Sequence, residues 1–427
     1  MIEAWHVVLG CAFCVVLTWI GEQILVGAAV FLPVLAFLVF DFSSASDVTH
    51  HWYSTLAVLG AVCVLMRGKQ SRRVAVAGIL CGVAILFTQT QGGMAAIGIS
   101  LYLFLTRRKA DGSADLAKKL LAFWTPCVIL LFVVYGYYVL RAGFHTLFYD
   151  LIRFPLTGLS GSINSPGIYF QQFREIHGAG SLLQATPFFV IIGLVPYVYF
   201  ITLYVLWKKS LPSERQREQI LLLCVTGIAL FLAVCSGPTF FRLSTVAPPA
   251  ILCGAWLIEQ SRYARTLRPW LFCVTLVFFA WLPVHRQVQW HRTLALPTGN
   301  VVFTDPGSYR LMQWLQVRTD PGDTFFNDDG VAFYLRLKNP THAEFVNNDA
   351  FTSGQDVARI IDAMQKMPPR YIAMVPGIQE TPQDHAGPFR YYVHSNYCLA
   401  NTFPLASGRY TEEIWGRCKE QQAPAAH

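Results

Sequence analysis

Apolar runs dominate the sequence before Pro283, and they restrict what this chain can fold into more than any other feature. Each run approaches the roughly 20 residues that an α-helix needs to cross a hydrocarbon core of about 30 Å. Only 14% of the 427 residues are charged, whereas soluble domains carry about 25%. The sequence therefore predicts an α-helical polytopic membrane bundle of about ten spans, near Trp5–Ile20, Ile24–Phe40, Trp52–Met66, Val74–Phe87, Met94–Thr106, Leu120–Leu140, Leu182–Trp207, Ile220–Val234, Phe240–Ile258 and Pro269–Val284.

Basic residues cluster in alternate loops between these runs. Under the positive-inside rule, such loops are cytoplasmic. The intervening segments and everything after Val284 are then predicted to lie outside a cell (inner or plasma) membrane. This distribution accounts for the formal net charge of +8, so no nucleic-acid partner is predicted. The basic clusters are Arg67–Arg73, Arg107–Lys119, Lys208–Arg217 and Arg262–Arg268.

The composition changes after Trp290, where the apolar segments shorten to strand length. Helical spacing in "SYRLMQWLQVRT" and "SGQDVARIIDAMQKM" alternates with strand-like "NVVFTDPG", "PGDTFFND", "HAEFVNND" and "PRYIAMVP", and "GVAFYLRL" reads as a short helix or strand. Ser353 followed by Asp356 is a helix-start signal. We therefore predict a membrane domain over 1–284, an extracytoplasmic α/β domain over 285–420 and a disordered tail over 421–427.

Acidic residues of the predicted outer domain lie mainly in turns flanked by Gly or Pro, where Asp is favoured for backbone reasons. The "NDDG" stretch fails the spacing of a calcium-binding EF-hand loop. We therefore expect the domain to have no active site of its own. The residues concerned are Asp305, Asp320, Asp323, Asp328 and Asp329.

The cysteines carry little chemistry in this sequence. Most lie inside apolar runs, where Cys behaves as a small hydrophobe, and none shows metal-ligand spacing. Cys398 and Cys418 fall in the outer domain, where an oxidising compartment would permit a disulfide. Sequence alone leaves that pairing open, and it predicts no metal site.

The segment 141–181 is long for a connection between spans. Its "FHTLFYDLIRFPL" stretch has an aromatic apolar face that could lie in the membrane interface as an amphipathic helix. A long aromatic loop over a membrane cavity could be a lid. It could equally be an anchor that undergoes no functional motion.

The stretch "DFSSASDVTHHWYSTL" at Asp41–Leu56 places two carboxylates and two histidines between apolar runs. This pattern, a basic turn, and the Gly-rich helix ending in "FTQTQGG" resemble the central block of the C-type (GT-C) membrane glycosyltransferases. The likeness is to the protein O-mannosyltransferase and aminoarabinose-transferase-like branch. "PGDTFFNDD" and "PPRYIAMVP" likewise resemble that family's terminal domain.

The resemblance implies a glycosyltransferase that takes its sugar from a polyprenyl-phosphate donor. The acceptor would be an extracytoplasmic glycan, lipid or protein, and membrane lipid would surround the bundle. No cofactor is firmly implied, although a divalent cation could take part. In that family the first outer loop carries an acidic residue that acts on the acceptor. Here the chain starts at the helix that would follow that loop, so we expect it to lack that carboxylate and to bind the donor yet transfer poorly.

Sugar transfer needs a carboxylate or another base to deprotonate or orient the acceptor hydroxyl. Asp47 and His51 are the predicted catalytic residues, and His50 is predicted to contact the substrate. Helix N-capping and interfacial packing are the structural alternatives for Asp47 and for the histidines, respectively. Asp41 is predicted to be a solvated loop residue.

Transfer also needs cations to stabilise the departing phosphate. Arg153 and Arg242 are the predicted phosphate ligands, with snorkelling to lipid headgroups as the alternative. Gln89 and Gln91 are predicted to bind sugar or phosphate, or else a neighbouring helix, because amides in a membrane need partners. Gly92 and Gly93 are predicted to permit a tight turn.

Two other functions compete with glycosyl transfer. A transporter or flippase of a lipid-linked substrate would carry charges buried within spans and paired broken helices. A catalytically inactive membrane scaffold is the third reading, since the first outer loop is not in the sequence. The clustering of polar groups at outer span ends favours chemistry there.

Overall fold

The computed structural model describes residues 2–42, 49–107, 113–153, 179–208, 213–288, 290–341, 343–346, 352–375, 385–405 and 410–418. These form two compact units. The first comprises Met1–Ile152 with Ile163–Leu282, and the second comprises Arg153–Ser162 with Pro283–His427. We describe each unit by itself.

The first unit is built of helices. Its α-helices are α1 (Ile2–Ile24), α2 (Leu32–Ala36), α3 (His50–Met66), α4 (Ser71–Phe87), α5 (Gln89–Leu105), α6 (Ser113–Ala142), α7 (Phe144–Phe148), α8 (Ala179–Lys208), α9 (Glu214–Val234), α10 (Phe240–Val246), α11 (Pro248–Gln260) and α12 (Ala264–Val288).

Five described helices are long and apolar enough to cross a membrane, and α10 with α11 adds a sixth if this pair, bent by 65°, is one span. The predicted number of about ten is therefore not reached by length and composition. The difference lies in α3, α4 and α5, each of 17 residues, and in the predicted span Ile24–Phe40. At 1.5 Å per residue, 17 residues extend about 25 Å, which is less than a hydrocarbon core of about 30 Å.

Two segments of the first unit are broken rather than straight. Gly27–Phe42 consists of a 3-10 turn (Gly27–Phe31), α2 and a π-helical turn (Phe37–Phe42). Its start is Gly27, whose φ of 60° suits glycine. The second break separates α10 from α11 at two prolines, Pro248 and Pro249, which occupy the first positions of α11 and cannot continue the hydrogen bonding of α10.

Small residues let the short helices pack closely. A Cβ at Gly78 of α4 would lie 2.0 Å from the Phe123 carbonyl oxygen of α6, and one at Gly98 of α5 would lie 2.8 Å from the Ala229 Cβ of α9. Both contacts would force the helices apart. A single buried apolar core accordingly runs through this unit, including Phe13, Trp52, Tyr199 and Trp256.

The ends of the helices that carry basic residues come together. Lys69, after α3, forms an ion pair of 3.0 Å with Glu218 of α9, and its ammonium also donates to the Thr106 carbonyl at the end of α5. This contact puts the predicted cytoplasmic ends of α3, α5 and α9 at one side of the unit.

The predicted amphipathic stretch is helical as far as it is described. It forms α7 and a π-helical turn, Tyr149–Arg153. Phe144 and Phe148 are exposed and stack on each other at 5.9 Å. The rest of 141–181, up to α8, lies outside the described residues, so the choice between lid and anchor stays a prediction.

The second unit is α/β. Strands β1 (Arg292–Leu296) and β2 (Gly299–Phe303) form an antiparallel hairpin. A second sheet has the order β3-β4-β6-β5, in which β3 pairs with β4 in parallel and the other pairs are antiparallel. Its strands are β3 (Phe325–Phe326), β4 (Tyr371–Met374), β5 (Tyr397–Leu405) and β6 (Tyr410–Arg417), and its helices are α13 (Pro306–Gln316), α14 (Asp329–Leu335), α15 (Gly354–Lys366) and α16 (Gly387–Asn396).

Most local predictions for this unit agree with the structure. The helical spacing after Asp305 gives α13, "GVAFYLRL" contributes α14, and Ser353 caps α15 in a full capping box with Asp356. Of the strand predicted at "HAEFVNND", the structure describes Ala343–Val346, and these residues form no strand. Asn327 explains this difference, since its side chain accepts a bond from the Val346 N–H and donates one to the Ala373 carbonyl.

A disulfide joins Cys398 and Cys418. The register explains the pairing, because Tyr397 and Cys398 at the start of β5 lie opposite Arg417 and Gly416 at the end of β6. The bond therefore ties together two antiparallel neighbours at one end of the sheet.

Candidate functional site

The predicted site residues of the first unit lie at helix starts. His50 and His51 begin α3, Gln89 and Gln91 begin α5, and Arg242 lies in the first turn of α10. All of these ends are opposite to the end that carries the Lys69–Glu218 ion pair. This placement agrees with the predicted topology, in which these residues face outward.

His51 is the half-buried centre of this group. Its Nδ1 lies 3.5 Å from the Thr88 hydroxyl oxygen, and its ring meets the Phe241 ring edge-on at 5.9 Å. The neighbouring His50 ring lies 4.2 Å away and is exposed. The charge of Arg242 also acts on His51, so α3, α5 and α10 meet at this ring.

Gln91 is buried and links α5 to α10. Its Nε2 donates to the Thr245 hydroxyl at 3.1 Å, and that hydroxyl donates to the Arg242 carbonyl at 2.9 Å. The Thr55 hydroxyl, one turn after His51 on α3, donates to the Thr245 carbonyl at 2.5 Å. Among the described residues, Gln91 Oε1 has no hydrogen-bond partner.

Close packing requires the glycine that follows Gln91. A Cβ at Gly92 would lie 2.2 Å from the Ile85 backbone nitrogen of α4, whereas one at Gly93 would meet nothing within 4 Å. The predicted tight turn is wrong for both glycines, because they lie inside α5, and Gly92 is needed for close packing instead. Its small size lets α5 start directly against the end of α4 and fixes the depth of Gln91.

Arg242 is half-buried and is held by its own helix start. The Thr239 hydroxyl caps α10 by accepting the Arg242 N–H at 3.3 Å, and Arg242 Nη1 donates to the Gly237 carbonyl at 3.3 Å. The bend between α10 and α11 keeps this short helix at the end of the bundle where α3 and α5 begin. A guanidinium there is well suited to bind phosphate.

The structure separates Gln89 from this group. Gln89 is exposed, and its side chain lies beside the Tyr135 hydroxyl of α6 instead of beside Gln91. Arg153 is exposed at the end of the π-helical turn and belongs to the second unit. Asp47 lies outside the described residues. Any roles of Asp47 and Arg153 in substrate binding or catalysis stay predictions.

Asp41 corrects the sequence analysis. It was predicted to be a solvated loop residue, but it lies within the Phe37–Phe42 π-helical turn with none of its surface exposed. The Ser244 hydroxyl of α10 lies beside it, yet neither carboxylate oxygen has a hydrogen-bond partner in the described part of the chain. The residues of "FLVFDF" around Asp41 are apolar, and the π-helical turn that they form leaves the carboxylate buried beside Ser244 of α10.

Sequence reasoning also missed the threonines that connect the candidate residues. Thr55, Thr88 and Thr245 hold His51, Gln91 and Arg242 together through the bonds given above. One signal was available for Thr245, because it follows Arg242 by three residues and so shares its side of a helix. The same signal was available for Thr55, which follows His51 by four residues, but Thr88 lies between α4 and α5 and gave none.

No three His, Cys, Asp or Glu side chains within the described ranges come together as ligands for a metal ion. The residues around His51 are instead two imidazoles, an amide, hydroxyls and a guanidinium. Such a set binds anions and hydroxyl groups through hydrogen bonds.

An apolar cavity of about 310 Å³ lies among α2, α8, α11 and α12 of the same unit. Leu32, Phe40, Leu194, Ile251 and Phe278 contribute to its wall. Asp41, which follows Phe40, does not line this cavity. A cavity with this lining suits a hydrocarbon chain.

Comparison with protein-family models gives no match, and comparison with curated proteins gives none either. Among solved structures, the chain is similar to an oligosaccharyltransferase from Archaeoglobus fulgidus, crystallised with a disulfide-tethered acceptor peptide that contains the NVT sequon. The superposition covers 87% of this chain and 57% of that chain, at 13% sequence identity and a TM-score of 0.44. This chain thus spans little more than half the length of that enzyme. Because the TM-score is below 0.5, the likeness carries no weight for the function of this chain.

Proposed function

We propose that this protein is a membrane glycosyltransferase that moves a sugar from a polyprenyl-phosphate donor to an extracytoplasmic acceptor. The observation that carries the proposal is the meeting of His51, Gln91 and Arg242 at one end of three helices. The sequence resemblance to C-type glycosyltransferases supplies the reaction class. The acceptor is a glycan, lipid or protein.

Each residue of the group has a role that matches its chemistry. The Arg242 guanidinium pairs with the donor phosphate and stabilises the negative charge that grows on it as the bond to the sugar breaks. The buried Gln91 amide holds α10, and with it Arg242, in place through the Thr245 hydroxyl. The acceptor oxygen forms the new bond to the sugar, and its proton passes to His51 or to the carboxylate of Asp47.

The apolar cavity supports a lipid-linked donor. Its wall offers hydrocarbon contacts along several helices of the first unit, and a polyprenyl chain gains about 0.8 kcal/mol per buried CH₂ group. A water-soluble nucleotide sugar would gain nothing from this lining.

The test is transfer by the full chain reconstituted in liposomes with a panel of radiolabelled polyprenyl-phosphate hexoses. We expect Arg242→Gln to lower kcat/KM by about 10²–10³, the effect of removing one donor that stabilises developing charge. Gln91→Ala should also lower kcat/KM because the amide faces Thr245 and the site.

Gln89→Ala is the matched control, since it removes the same side chain two residues away on the face toward Tyr135. Equal losses in the Gln89 and Gln91 variants would contradict the assignment of Gln91. Unchanged kcat/KM in Arg242→Gln, or no release of polyprenyl phosphate by the wild type, would contradict the proposed function.

One observation favours a transporter as the second candidate. Two broken segments, Gly27–Phe42 and α10–α11, bring Asp41 and Ser244 together, and broken helices with a buried ionisable group are typical of transporters. Movement of a fluorescent polyprenyl-phosphate lipid between the leaflets of liposomes, without any release of sugar, would favour this function over transfer.

A further inference from the structure

A second cavity of about 310 Å³ opens at the opposite end of the first unit, and the proposed function makes no use of it. It lies between the end of α3, the following turn, Tyr102 of α5 and the first turn of α9. Its charged lining comprises Arg67, Lys69, Glu214, Arg215 and Glu218. This end carries the basic loops, so the predicted topology places it on the cytoplasmic side.

Buried side chains form the floor of this cavity. Gln219 is almost fully buried, and its Nε2 donates to the Met66 carbonyl at 3.2 Å. Tyr102 is also buried. Two of the charged residues already pair with each other, because Lys69 forms an ion pair of 3.0 Å with Glu218. The cavity also has two exposed cationic side chains, Arg67 and Arg215, and one exposed carboxylate, Glu214.

Trp19 indicates at which level of the membrane the cavity lies. The Arg67 guanidinium lies 5.3 Å over the Trp19 ring of α1, and Trp19 is exposed on the outside of the bundle. Trp residues in this setting lie at the level of lipid headgroups. Arg67 and the cavity beside it are therefore at headgroup level as well.

We propose that this cavity binds the headgroup of phosphatidylethanolamine. Its volume is at the lower end for small-molecule sites, enough for a headgroup. Arginines suit the lipid phosphate, while a carboxylate suits the primary ammonium. An anionic headgroup without an ammonium would face Glu214 and Glu218 with like charge. A choline headgroup has no N–H to donate to them.

The test is native mass spectrometry of the full chain, titrated separately with phosphatidylethanolamine, phosphatidylcholine and phosphatidylglycerol. We expect saturable binding of phosphatidylethanolamine, about tenfold tighter than the other two, as expected for one lost charge-assisted hydrogen bond. Arg215→Gln should weaken it about tenfold, and Glu214→Gln should remove the preference over phosphatidylglycerol.

Arg217→Gln is the matched control, because Arg217 is an exposed neighbour on α9 that does not line the cavity. Melting temperatures of all variants identify any that are misfolded, and Arg67→Gln then replaces a misfolded Arg215 variant. Equal loss in Arg217→Gln, equal binding of phosphatidylcholine, or no saturable binding by the wild type would overturn the proposal. None of these results depends on sugar transfer.

Discussion

Carboxylates are used in opposite ways in the two units. In the second unit, Asp305 accepts the Ser308 N–H at 2.7 Å, Asp328 accepts the Val331 N–H at 3.1 Å and Asp356 accepts the Ser353 N–H at 3.1 Å. Each of these groups closes a helix start. Asp41 of the first unit is fully buried, and its carboxylate oxygens accept no hydrogen bond from the described residues.

The carboxylates of the second unit stabilise the fold, whereas the buried carboxyl of Asp41 does not. A cap satisfies orphan N–H groups of its helix and typically contributes about 1 kcal/mol. A buried carboxyl with no partner instead costs about 1–3 kcal/mol or more. An ionisable group inside a membrane bundle is a candidate for function for this reason. The predictions below test whether the two groups of carboxylates really differ in this way.

Asp41 gives the largest expected effect. Asp41→Asn keeps the shape but disturbs the contact with Ser244 of α10, the helix that carries Arg242. We expect it to lower the rate of sugar transfer about tenfold, as for one lost hydrogen bond. Asp41→Val should lower transfer similarly but raise the free energy of unfolding by about 1–3 kcal/mol, because a buried polar group without a partner is removed. Transfer assays in liposomes and melting curves in detergent measure the two effects. An unchanged rate of sugar transfer in Asp41→Asn would show that Asp41 has no role in function.

Glu412 is the exception within the second unit and should give the next largest effect. It is buried in β6, and desolvation, followed by the charge of Asp328, raises its pKa from 4.5 to about 7. The folded state therefore binds the proton more tightly than the unfolded chain. Its contribution to stability is fully present below pH 4.5 and is lost as the pH rises through about 7.

Glu412→Gln should therefore raise the free energy of unfolding at pH 8 by up to about 3 kcal/mol, from 1.36 kcal/mol per pKa unit. It should have little effect at pH 4.5. Hydrogen–deuterium exchange of β5 and β6 in the intact protein, corrected for intrinsic rates, measures this difference. Glu344→Gln, at an exposed carboxylate, is the control. A pH-independent effect of Glu412→Gln would show that its charge is irrelevant.

The sequence predicted the helix start at Ser353 and Asp356 but not the burial of Asp41, and the reason is the range of the interactions. The capping box of Ser353 and Asp356 lies within four consecutive residues, so a local sequence pattern identifies it. The burial of Asp41 depends on Ser244, about two hundred residues away, and on two breaks whose geometry no local pattern specifies. Gln91 and Gln89 illustrate the same limit, since both looked equivalent in "FTQTQGG" until α4, α6 and α10 packed around them.

The capping box should give a smaller effect of about 1 kcal/mol. Asp356→Ala removes the carboxylate that accepts the Ser353 N–H at 3.1 Å and the Arg359 guanidinium at 2.7 Å. We expect the free energy of unfolding to fall by about 1 kcal/mol, with faster hydrogen exchange concentrated at the start of α15. Exchange that increases evenly along the helix would argue against a capping role.

Asp362, on the same helix, should give the smallest effect and completes the series. Its Oδ2 lies 2.6 Å from Lys366 Nζ in an i,i+4 pair whose side chains are both mostly exposed. Water and salt screen such a pair, which typically contributes about 0.3–0.5 kcal/mol. Asp362→Ala should therefore change stability by no more than this, and even less in 1 M salt, where the Debye length falls to about 3 Å. The same denaturation series, run with Asp356→Ala, makes the comparison direct, because both variants remove one carboxylate from one helix. If Asp362→Ala cost as much as Asp356→Ala, the carboxylates of this unit would act through charge alone, and the caps would lose their distinct role.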